Sequence, residues 1–421
     1  MNRKRRRVPR AALLLLPGVL ILFSSPASLV AQEPDAASPT PDPSPAVAAT
    51  PPPATPPAAT RAGRSLGPEF DGDLLRGLPM SNGLWSVFET IESTAILDRM
   101  EGGGLYVGEA GLLGIRGSSW TQASWRLGDL DITDPDRTGT PLFFAGPEAL
   151  EAVQISAGVR PADEKFAGPG VSLSVRRPGT VWHKTVQASQ IPSGLQQSFK
   201  RTGAPAIAHV SSYASGAFRV DGPLIKDRLG LLVTGNLTRG SRRERSDPRA
   251  LSGRETGLLA HLVYARSPRD EIRFLAGLQA LSHPYAGRAR FGGGDVAQSD
   301  RLLMAQSTWQ RQALRPWSVT AGIVRGSFDP QLPLFAGGSV ERLADGPVQQ
   351  QFPGESTRSR WALSGWMDPL TSGHHAVRVG GSMALTHSTT KPSGPIGQTP
   401  ETVGGLPARV WEYGWVRPRR R

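Results

Sequence analysis

From residue 181 onward, the chain alternates between apolar and polar residues, which is the period of a β-strand with two unlike faces. Apolar residues share one face in three segments: Leu229, Leu231, Val233 and Leu237; Ile272, Phe274, Ala276 and Leu278; and Val377, Val379, Met383 and Leu385. Polar or small residues form the opposite faces: Thr234, Asn236 and Thr238; Arg273, Gly277 and Gln279; and Arg378, Ser382 and Thr386. The pattern predicts an antiparallel sheet with one apolar face.

The same region predicts about ten strands, joined alternately by short turns and long loops. We place the strands at residues 181–191, 209–220, 228–238, 255–266, 271–281, 300–312, 317–327, 357–367 and 374–388, with a last one beginning near Ala408. The short turns lie at 221–227, 267–270, 313–316 and 368–373, and the longest loop runs from 328 to 356. Outer-membrane barrels combine short periplasmic turns, long external loops and strands of about ten residues.

Two architectures fit alternating strands of this kind. A soluble β-sandwich also alternates, but it does not need every second connection to be long. Trp309, Trp317, Trp361 and Trp366 lie near predicted strand ends or turns, where an aromatic girdle would be. These features favour an antiparallel transmembrane β-barrel over residues 181–421.

The N-terminus has the pattern of an export signal. Residues 1–10 are basic, 11–23 are apolar and 24–31 are small, which is typical of a secretory signal peptide cleaved after Ala31. An N-terminal membrane anchor is the alternative. Residues 32–69 are a linker, rich in Pro and Ala at its start, that we expect to be flexible. No later segment approaches the length of a transmembrane helix, so membrane insertion would require a barrel.

Between these regions, residues 70–180 predict a compact α+β domain of short elements. Residues 84–91 place Leu84, Val87, Phe88 and Ile91 on one face of a helix. Short strands follow, and glycines break the chain between them.

Composition argues against several classes of function. The formal net charge is +13, but part of the excess lies at the two ends, and no nucleic-acid-binding motif is present. The chain has no cysteine, which removes disulfides, thiolate nucleophiles and cysteine-ligated zinc. No catalytic triad spacing, phosphate-binding loop or zinc-protease motif occurs. We therefore expect no enzyme, no cofactor, no metal site and no nucleic-acid partner.

Two charged segments have more than one interpretation. Asp129, Asp131, Asp134 and Asp136 are spaced like calcium ligands, but the glycine and distal glutamate of an EF-hand are missing, so we interpret them as a solvated loop. Residues 239–249 form an arginine-rich predicted external loop. Contact with anionic lipopolysaccharide and simple solvation are both open for this loop.

Four short motifs in residues 70–180 occur in a recognisable order. Their residues include Arg116 and Gly117; Thr133, Asp134 and Pro135; Glu151 and Gly158; and Gly168 and Gly170. In this order and spacing, the domain resembles the plug domain of TonB-dependent outer-membrane receptors. The central segment departs from the family, which has Asp-Gly where this chain has Gly128-Asp129.

A further motif follows the domain, at Asp221, Gly222, Pro223, Lys226 and Asp227. It resembles the carboxypeptidase-regulatory-like, Oar-type subgroup of these receptors, and it predicts the first periplasmic turn.

The resemblance implies an α+β plug domain followed by an incomplete antiparallel transmembrane β-barrel, because plugged transporter barrels have about 22 strands. We expect a truncated receptor in the outer membrane that imports an unidentified ligand. Its expected partners are outer-membrane lipid and a TonB-type inner-membrane energy complex, although residues 32–67 show no clear TonB box. An outer-membrane structural or adhesion protein without transport activity is the alternative.

Overall fold

A computed structural model provides the structure of the chain. It describes residues 69–77, 84–91, 95–97, 106–136, 139–156, 168–192, 208–244, 250–284, 297–313, 315–330, 339–342, 348–351, 354–372, 375–392, 398–403 and 406–412. All of them belong to one compact unit, Arg61–Arg421. The predicted signal peptide, most of the linker and Gly158 lie outside the described residues, as do residues 413–421.

The first part of the structure is a small α+β domain, here called the N-terminal domain. Its helices are α1 (Gly72–Gly77) and α2 (Leu84–Ile91). Its strands are β1 (Glu69–Asp71), β2 (Ala95–Leu97), β3 (Leu113–Ile115), β4 (Ser124–Leu127), β5 (Leu130–Asp131), β6 (Leu150–Ser156) and β7 (Gly170–Val175). Short 3₁₀ turns lie at Trp120–Gln122 and Pro147–Ala149.

Five of these strands form one sheet in the order β1-β6-β7-β4-β5, and β2 pairs with β3. Helix α2 forms as predicted and buries its apolar face against the sheet. Trp125 is the centre of an aromatic cluster, with ring centroids 5.2 Å from Trp85 and 5.3 Å from Phe88. The indole N–H of Trp125 donates to the carbonyl oxygen of Gly139 at 2.9 Å, so its polar atom is also satisfied.

The second part is a nine-stranded antiparallel sheet, here called the large sheet, in the order β18-β17-β14-β13-β12-β11-β10-β9-β8. Its strands are β8 (His183–Ile191), β9 (Ala208–Ile225), β10 (Leu229–Glu244), β11 (Ala250–Ser267), β12 (Asp270–Pro284), β13 (Ala297–Arg311), β14 (Trp317–Pro330), β17 (Gly354–Ser372) and β18 (His375–Pro392). Each strand pairs with the next along the chain, except that β14 pairs with β17 across an insertion.

Nine of the predicted strands are thus present, and most extend further into the predicted loops than expected. The tenth is different. Strand β20 (Leu406–Glu412) pairs with β19 (Gln398–Val403) in a separate four-stranded sheet. That sheet also holds β15 (Ser339–Arg342) and β16 (Val348–Gln351), both within the predicted 328–356 loop. The expectation that residues near Ala408 begin another barrel strand is therefore wrong.

The large sheet has two unlike faces, as the alternation predicts. One face, the outer face, exposes large apolar side chains: Leu237, Leu258, Phe274, Leu278, Leu303, Val319, Trp361, Leu363, Met383 and Leu385. The other, the inner face, buries apolar side chains against the N-terminal domain: Leu259, Leu275, Leu302, Met304 and Val324 belong to the same core as Trp125. The domain therefore packs on the inner face.

Tryptophans mark the short-turn end of the outer face. Trp309 and Trp317 pack edge to face with ring centroids 4.9 Å apart. The prediction placed Trp361 and Trp366 in the same girdle. Trp361 is instead mid-strand, opposite Leu385, because β17 is longer than expected. Trp366 has the same strand parity as the inner-facing Arg358 and Arg360, so it does not belong to the outer girdle.

The first short turn is narrower than predicted. Strand β9 continues to Ile225, so only residues 226–228 form the turn, with Asp227 in a left-handed conformation at φ +57°. Asp221, Gly222 and Pro223 of the predicted turn motif lie within the strand.

Candidate functional site

The contact between the N-terminal domain and the inner face is the candidate functional site, because it concentrates buried charge. Among the described residues, charged and amide side chains of the large sheet meet acidic, cationic or backbone groups of the domain at five separate places. Every one of these contacts joins residues that are distant in sequence. Together they determine how the domain sits on the sheet.

The first place is the hairpin between β4 and β5. Leu127 pairs with Leu130, which leaves Gly128 and Asp129 as a two-residue turn, and Gly128 has φ +58°. A glycine at the first position is the sequence of a type II′ turn, whereas Asp-Gly suits type I′. The positive φ of Gly128, the first residue of this turn, therefore agrees with type II′.

This turn delivers the Asp129 carboxylate to the inner face. Its Oδ2 accepts from the hydroxyl of Thr308 at 3.3 Å and from that of Thr320 at 3.4 Å. The guanidinium of Arg273 is 3.7 Å from the same oxygen. A side chain on Gly128 would collide with Gln306, since an added Cβ would lie 2.6 Å from its Nε2. The turn thus lies directly against strand β13.

The second place joins aspartates at the end of β5 and just after it to two arginines of β17. Arg358 forms ion pairs with Asp134 and, at 3.4 Å, with Asp136, and its guanidinium lies 4.3 Å from the ring centre of Phe328. Arg360 pairs with Asp131. Positions 358 and 360 share a face because strand side chains alternate.

The interpretation of this segment as a solvated loop is therefore wrong for Asp134, whose side chain is 2% exposed. All four aspartates of this segment lie within ion-pair distance of arginines of the large sheet. In the described part of the chain, no group of three or more His, Cys, Asp or Glu side chains is arranged to hold a metal ion.

The third place is a fully buried ion pair. Glu109 Oε1 accepts from Arg242 Nη1 at 2.8 Å, and their side chains are 0% and 2% exposed. The Arg242 guanidinium also lies 4.1 Å from the ring centre of Tyr106, in cation–π geometry.

The fourth place is a clamp on the backbone of the N-terminal domain. Gln279 Oε1 accepts from the Phe144 N–H at 2.8 Å, and its Nε2 donates to the Phe144 carbonyl. The same Nε2 donates to Glu255 at 3.1 Å, and Asn236 donates to that carboxylate at 3.1 Å. One amide side chain thereby satisfies both polar groups of a buried peptide segment.

Glu148, in the 3₁₀ turn before β6, lies next to this clamp. Burial raises the pKa of Glu148 from 4.5 to about 7; the hydrogen bond from its own backbone N–H opposes this, and the charge of Glu255 adds to it.

The fifth place follows β7, where the chain leaves the domain. Arg177 forms an ion pair with Glu271 of β12. The carbonyl oxygen of Arg176 is 2.9 Å from Nδ1 of His261 on β11. Asp221 of β9 accepts from the backbone N–H of Gly179 at 3.1 Å. These contacts hold the segment that leaves the N-terminal domain, residues 176–179, against the short-turn end of the large sheet.

The residues of the plug-like motifs have different environments. Thr133 is buried, and its hydroxyl accepts from the Trp125 N–H at 2.8 Å. Arg116 and Gly117 form an exposed turn with left-handed backbone, at φ +51° and +78°. Glu151 is exposed on β6, and Pro135 is half-buried beside Asp134. Gly168 and Gly170 are buried at the start of β7.

Among the described motif residues of the N-terminal domain, Asp134 is the one that forms an ion pair with a described residue of the large sheet. In the turn motif, Asp221 accepts from Gly179, and Gly222 lies so close to the Trp182 ring that an added Cβ would be 2.5 Å from it. The most informative partners, Arg242, Gln279 and Arg358, did not stand out as sequence motifs. The alternation did place them on the polar face of their strands, but it placed many other polar residues there too, such as Thr234 and Thr238.

Comparisons with known proteins identify the fold. No family model matches the sequence, and neither does any curated protein. The siderophore receptor PirA from Acinetobacter baumannii is similar in structure, with a TM-score of 0.57 and 12% identity over 78% of this chain and 48% of that one. The outer membrane transporter YddB from Escherichia coli has a TM-score of 0.58 and 10% identity over 84% of this chain and 52% of that one. The siderophore receptor PirA from Pseudomonas aeruginosa has a TM-score of 0.51 and 15% identity over 77% of this chain and 48% of that one.

The chain therefore has the fold of TonB-dependent receptors, an α+β plug domain followed by part of an antiparallel β-barrel, and the predicted fold class is confirmed. It spans about half the length of these solved structures. The Oar-type subgroup remains a prediction. Within the described residues, no helix is both long and apolar enough to cross a membrane.

Proposed function

We propose that the chain supplies the plug and nine wall strands of an outer-membrane receptor that imports a ligand when an inner-membrane energy complex displaces the plug. The solved receptors and the transporter with this fold support outer-membrane transport in general. The ligand, and the coupling to a TonB-type complex, are part of the proposal.

The observation that carries the proposal is the chemistry of the plug–wall contact. It combines a modest apolar contact with ion pairs and hydrogen bonds, including Glu109–Arg242 and Asp134–Arg358. When the plug separates from the wall, its polar groups can form hydrogen bonds with water instead. The free energy needed to separate them is therefore smaller than the sum of the individual ion pairs and hydrogen bonds. The aromatic core around Trp125 lies inside the plug and would stay intact during displacement.

Strands β8 and β18 form the two edges of the large sheet. Among the described residues, strands β8 and β18 each pair on one side only, and both faces of β8 are largely exposed. An unpaired strand edge cannot be satisfied in hydrocarbon. We propose that further antiparallel strands, from the same or another polypeptide, complete the barrel around the plug.

Uptake measurements test this function. A strain lacking the chain would be offered radiolabelled iron on a panel of siderophores, and labelled oligosaccharides and peptides, with and without a protonophore. Import predicts a defect for one class of ligand, restored by the wild-type gene and lost again when the proton gradient collapses. Normal uptake across the panel, together with an altered envelope or attachment, would instead support the structural or adhesive alternative.

A further inference from the structure

A buried histidine near the end of β12, His283, takes no part in the five contacts between the plug and the wall. Its Nε2 lies 3.1 Å from Asp300 Oδ2, and its Nδ1 lies 3.0 Å from the carbonyl oxygen of Pro284. Both of these oxygens are hydrogen-bond acceptors, whereas a neutral imidazole has a single N–H to donate. Only the protonated ring can donate to both, so the geometry is that of an imidazolium.

The segment of the plug that lies beside His283 is residues 106–110, here called the plug tip. Gly108 of the tip has φ +78°. An added Cβ on this glycine would lie 3.0 Å from the carbonyl oxygen of Arg254 and 3.5 Å from that of Ser282, the residue before the histidine. The plug tip therefore contacts the backbone of β11 and β12 at the position of His283.

Four charged side chains, here called the charge tetrad, lie at this contact. Glu109 of the plug tip pairs with Arg242 of β10, and Asp300 of β13 pairs with His283. The four side chains are between 0% and 9% exposed, so water screens their charges little. Two anions and two cations balance only while the ring is protonated. A neutral His283 would leave one excess negative charge in a buried place.

His283 lies beyond the apolar band of the barrel. Ile272 on the same strand is opposite Trp309, which marks the short-turn end of the band. Eleven positions separate His283 from Ile272, which is about 37 Å along a strand at about 3.4 Å per residue. A strand tilt of about 40° reduces the height to about 28 Å, still more than the apolar band of about 25 Å. The histidine is therefore outside the membrane-spanning part of β12.

The groups that face the ring favour its proton. Burial opposes a charge on the ring, but the hydrogen bond and charge of Asp300, together with the charge of Glu109, raise the pKa of His283 above 6.5. The second oxygen of Asp300 accepts from Gln298 Nε2 at 2.7 Å. Glu255 of β11 is on the same face, one strand away and two positions lower, and accepts hydrogen bonds from two amide side chains.

We propose that His283 is a proton-dependent latch, a contact that holds the plug tip in place only while the ring is protonated. When the ring gives its proton to water, the excess negative charge of the tetrad weakens the contact of the tip with β11 and β12. The folded chain binds this proton more tightly than the unfolded chain does. The latch is therefore complete below about pH 6.5 and is lost as the pH rises above that value. It concerns how the plug lies on the wall and does not depend on import.

Hydrogen–deuterium exchange of residues 106–112, measured by mass spectrometry of the full chain in nonionic detergent micelles, tests the latch. Each variant is compared with wild type at the same pH, which cancels the intrinsic pH dependence of exchange and the titration of Glu148 and Glu255. The variant His283→Gln cannot be protonated. We expect its protection at pH 6 to be on the order of tenfold lower than that of wild type, and equal to it at pH 9. The matched control His387→Gln replaces an exposed histidine of β18 and should behave like wild type at both pH values.

A second variant separates charge balance from loss of structure. Asp300→Asn removes one negative charge, so Glu109 and Arg242 balance each other even when His283 is neutral. Residues 106–112 of this variant should be protected at pH 6 like wild type, and should keep that protection at pH 9, where wild type has lost it.

Several outcomes would overturn the latch. They are protection factors of wild type that are the same at pH 6 and pH 9, a His283→Gln variant protected like wild type at pH 6, and an Asp300→Asn variant that loses protection at pH 9. Residues 124–127 in the plug core report whether the effect is local. A parallel loss of protection there would also count against the latch, because the whole plug and not its tip would then respond to pH.

Discussion

Glu109 of the plug and Arg242 of the wall form an ion pair of 2.8 Å across 133 positions of sequence, and both side chains are buried. A buried pair is not necessarily stabilising relative to apolar residues, because both charges lose their hydration. Removing one partner is costly, since the other charge stays buried and loses this opposite charge. The ion pair therefore favours one position of the plug on the wall over positions that would leave either charge buried and unpaired.

Substitution of Glu109 by Gln should lower the free energy of unfolding of the full chain by about 3–5 kcal/mol. Denaturant titration followed by tryptophan fluorescence measures it, because Trp85 and Trp125 are in the plug core. The control is Lys391→Ala, which breaks an exposed pair with Glu355 and should change stability by less than about 1 kcal/mol. Equal effects of the two substitutions would contradict the specific role of the buried pair.

Arg358→Gln should loosen the plug, since it removes the cation that Asp134 and Asp136 share. We expect faster cleavage of residues 129–140 in limited proteolysis, followed by mass spectrometry of the fragments. The matched control is Arg325→Gln, an exposed arginine on the outer face of neighbouring strand β14. An unchanged cleavage rate in the Arg358 variant would show that this contact does not hold the plug.

Gly128→Ala should destabilise the chain by about 1–2 kcal/mol, because a left-handed backbone is unfavourable for a residue with a Cβ. The new Cβ would also press on Gln306, although that flexible side chain can move. Thermal unfolding compares this variant with Gly381→Ala, whose added Cβ meets nothing within 4 Å. A Gly128 variant as stable as the Gly381 control would exclude the type II′ turn.

Glu148 predicts a dependence of stability on pH. Its pKa is about 7 in the folded chain and 4.5 in the unfolded one, so the folded state binds more protons between these values. The contribution of Glu148 to stability is therefore full below about pH 4.5 and is lost as the pH rises toward 7.

Glu148→Gln removes this proton linkage and keeps the shape of the side chain. We expect the variant to gain stability relative to wild type on going from pH 5 to pH 8, as measured by the denaturant midpoint at each pH. The comparison with wild type cancels the titration of other carboxyl groups. A constant difference between the two proteins at both pH values would show that Glu148 does not titrate in this range.

Local pattern predicted much of the fold. Strands β9 to β14 and their outward apolar residues follow from alternation, because a strand that faces lipid on one side must repeat with period two. Helix α2 follows from the spacing of Leu84, Val87 and Phe88. The plug-like motifs, by their order along the chain, were enough to indicate the receptor fold.

Other features required the tertiary structure, because they depend on residues that are far apart in sequence. The opposition of Arg239 to Arg254 is set by the register of two strands, and the pairing of Asp134 with Arg358 by the docking of a domain onto a sheet. Strand β20 joins β19 rather than the wall, although its residues are compatible with either sheet. Periodicity by itself determined which residues share a face; only packing decided which faces and charges meet, since that depends on energies of contact between distant segments.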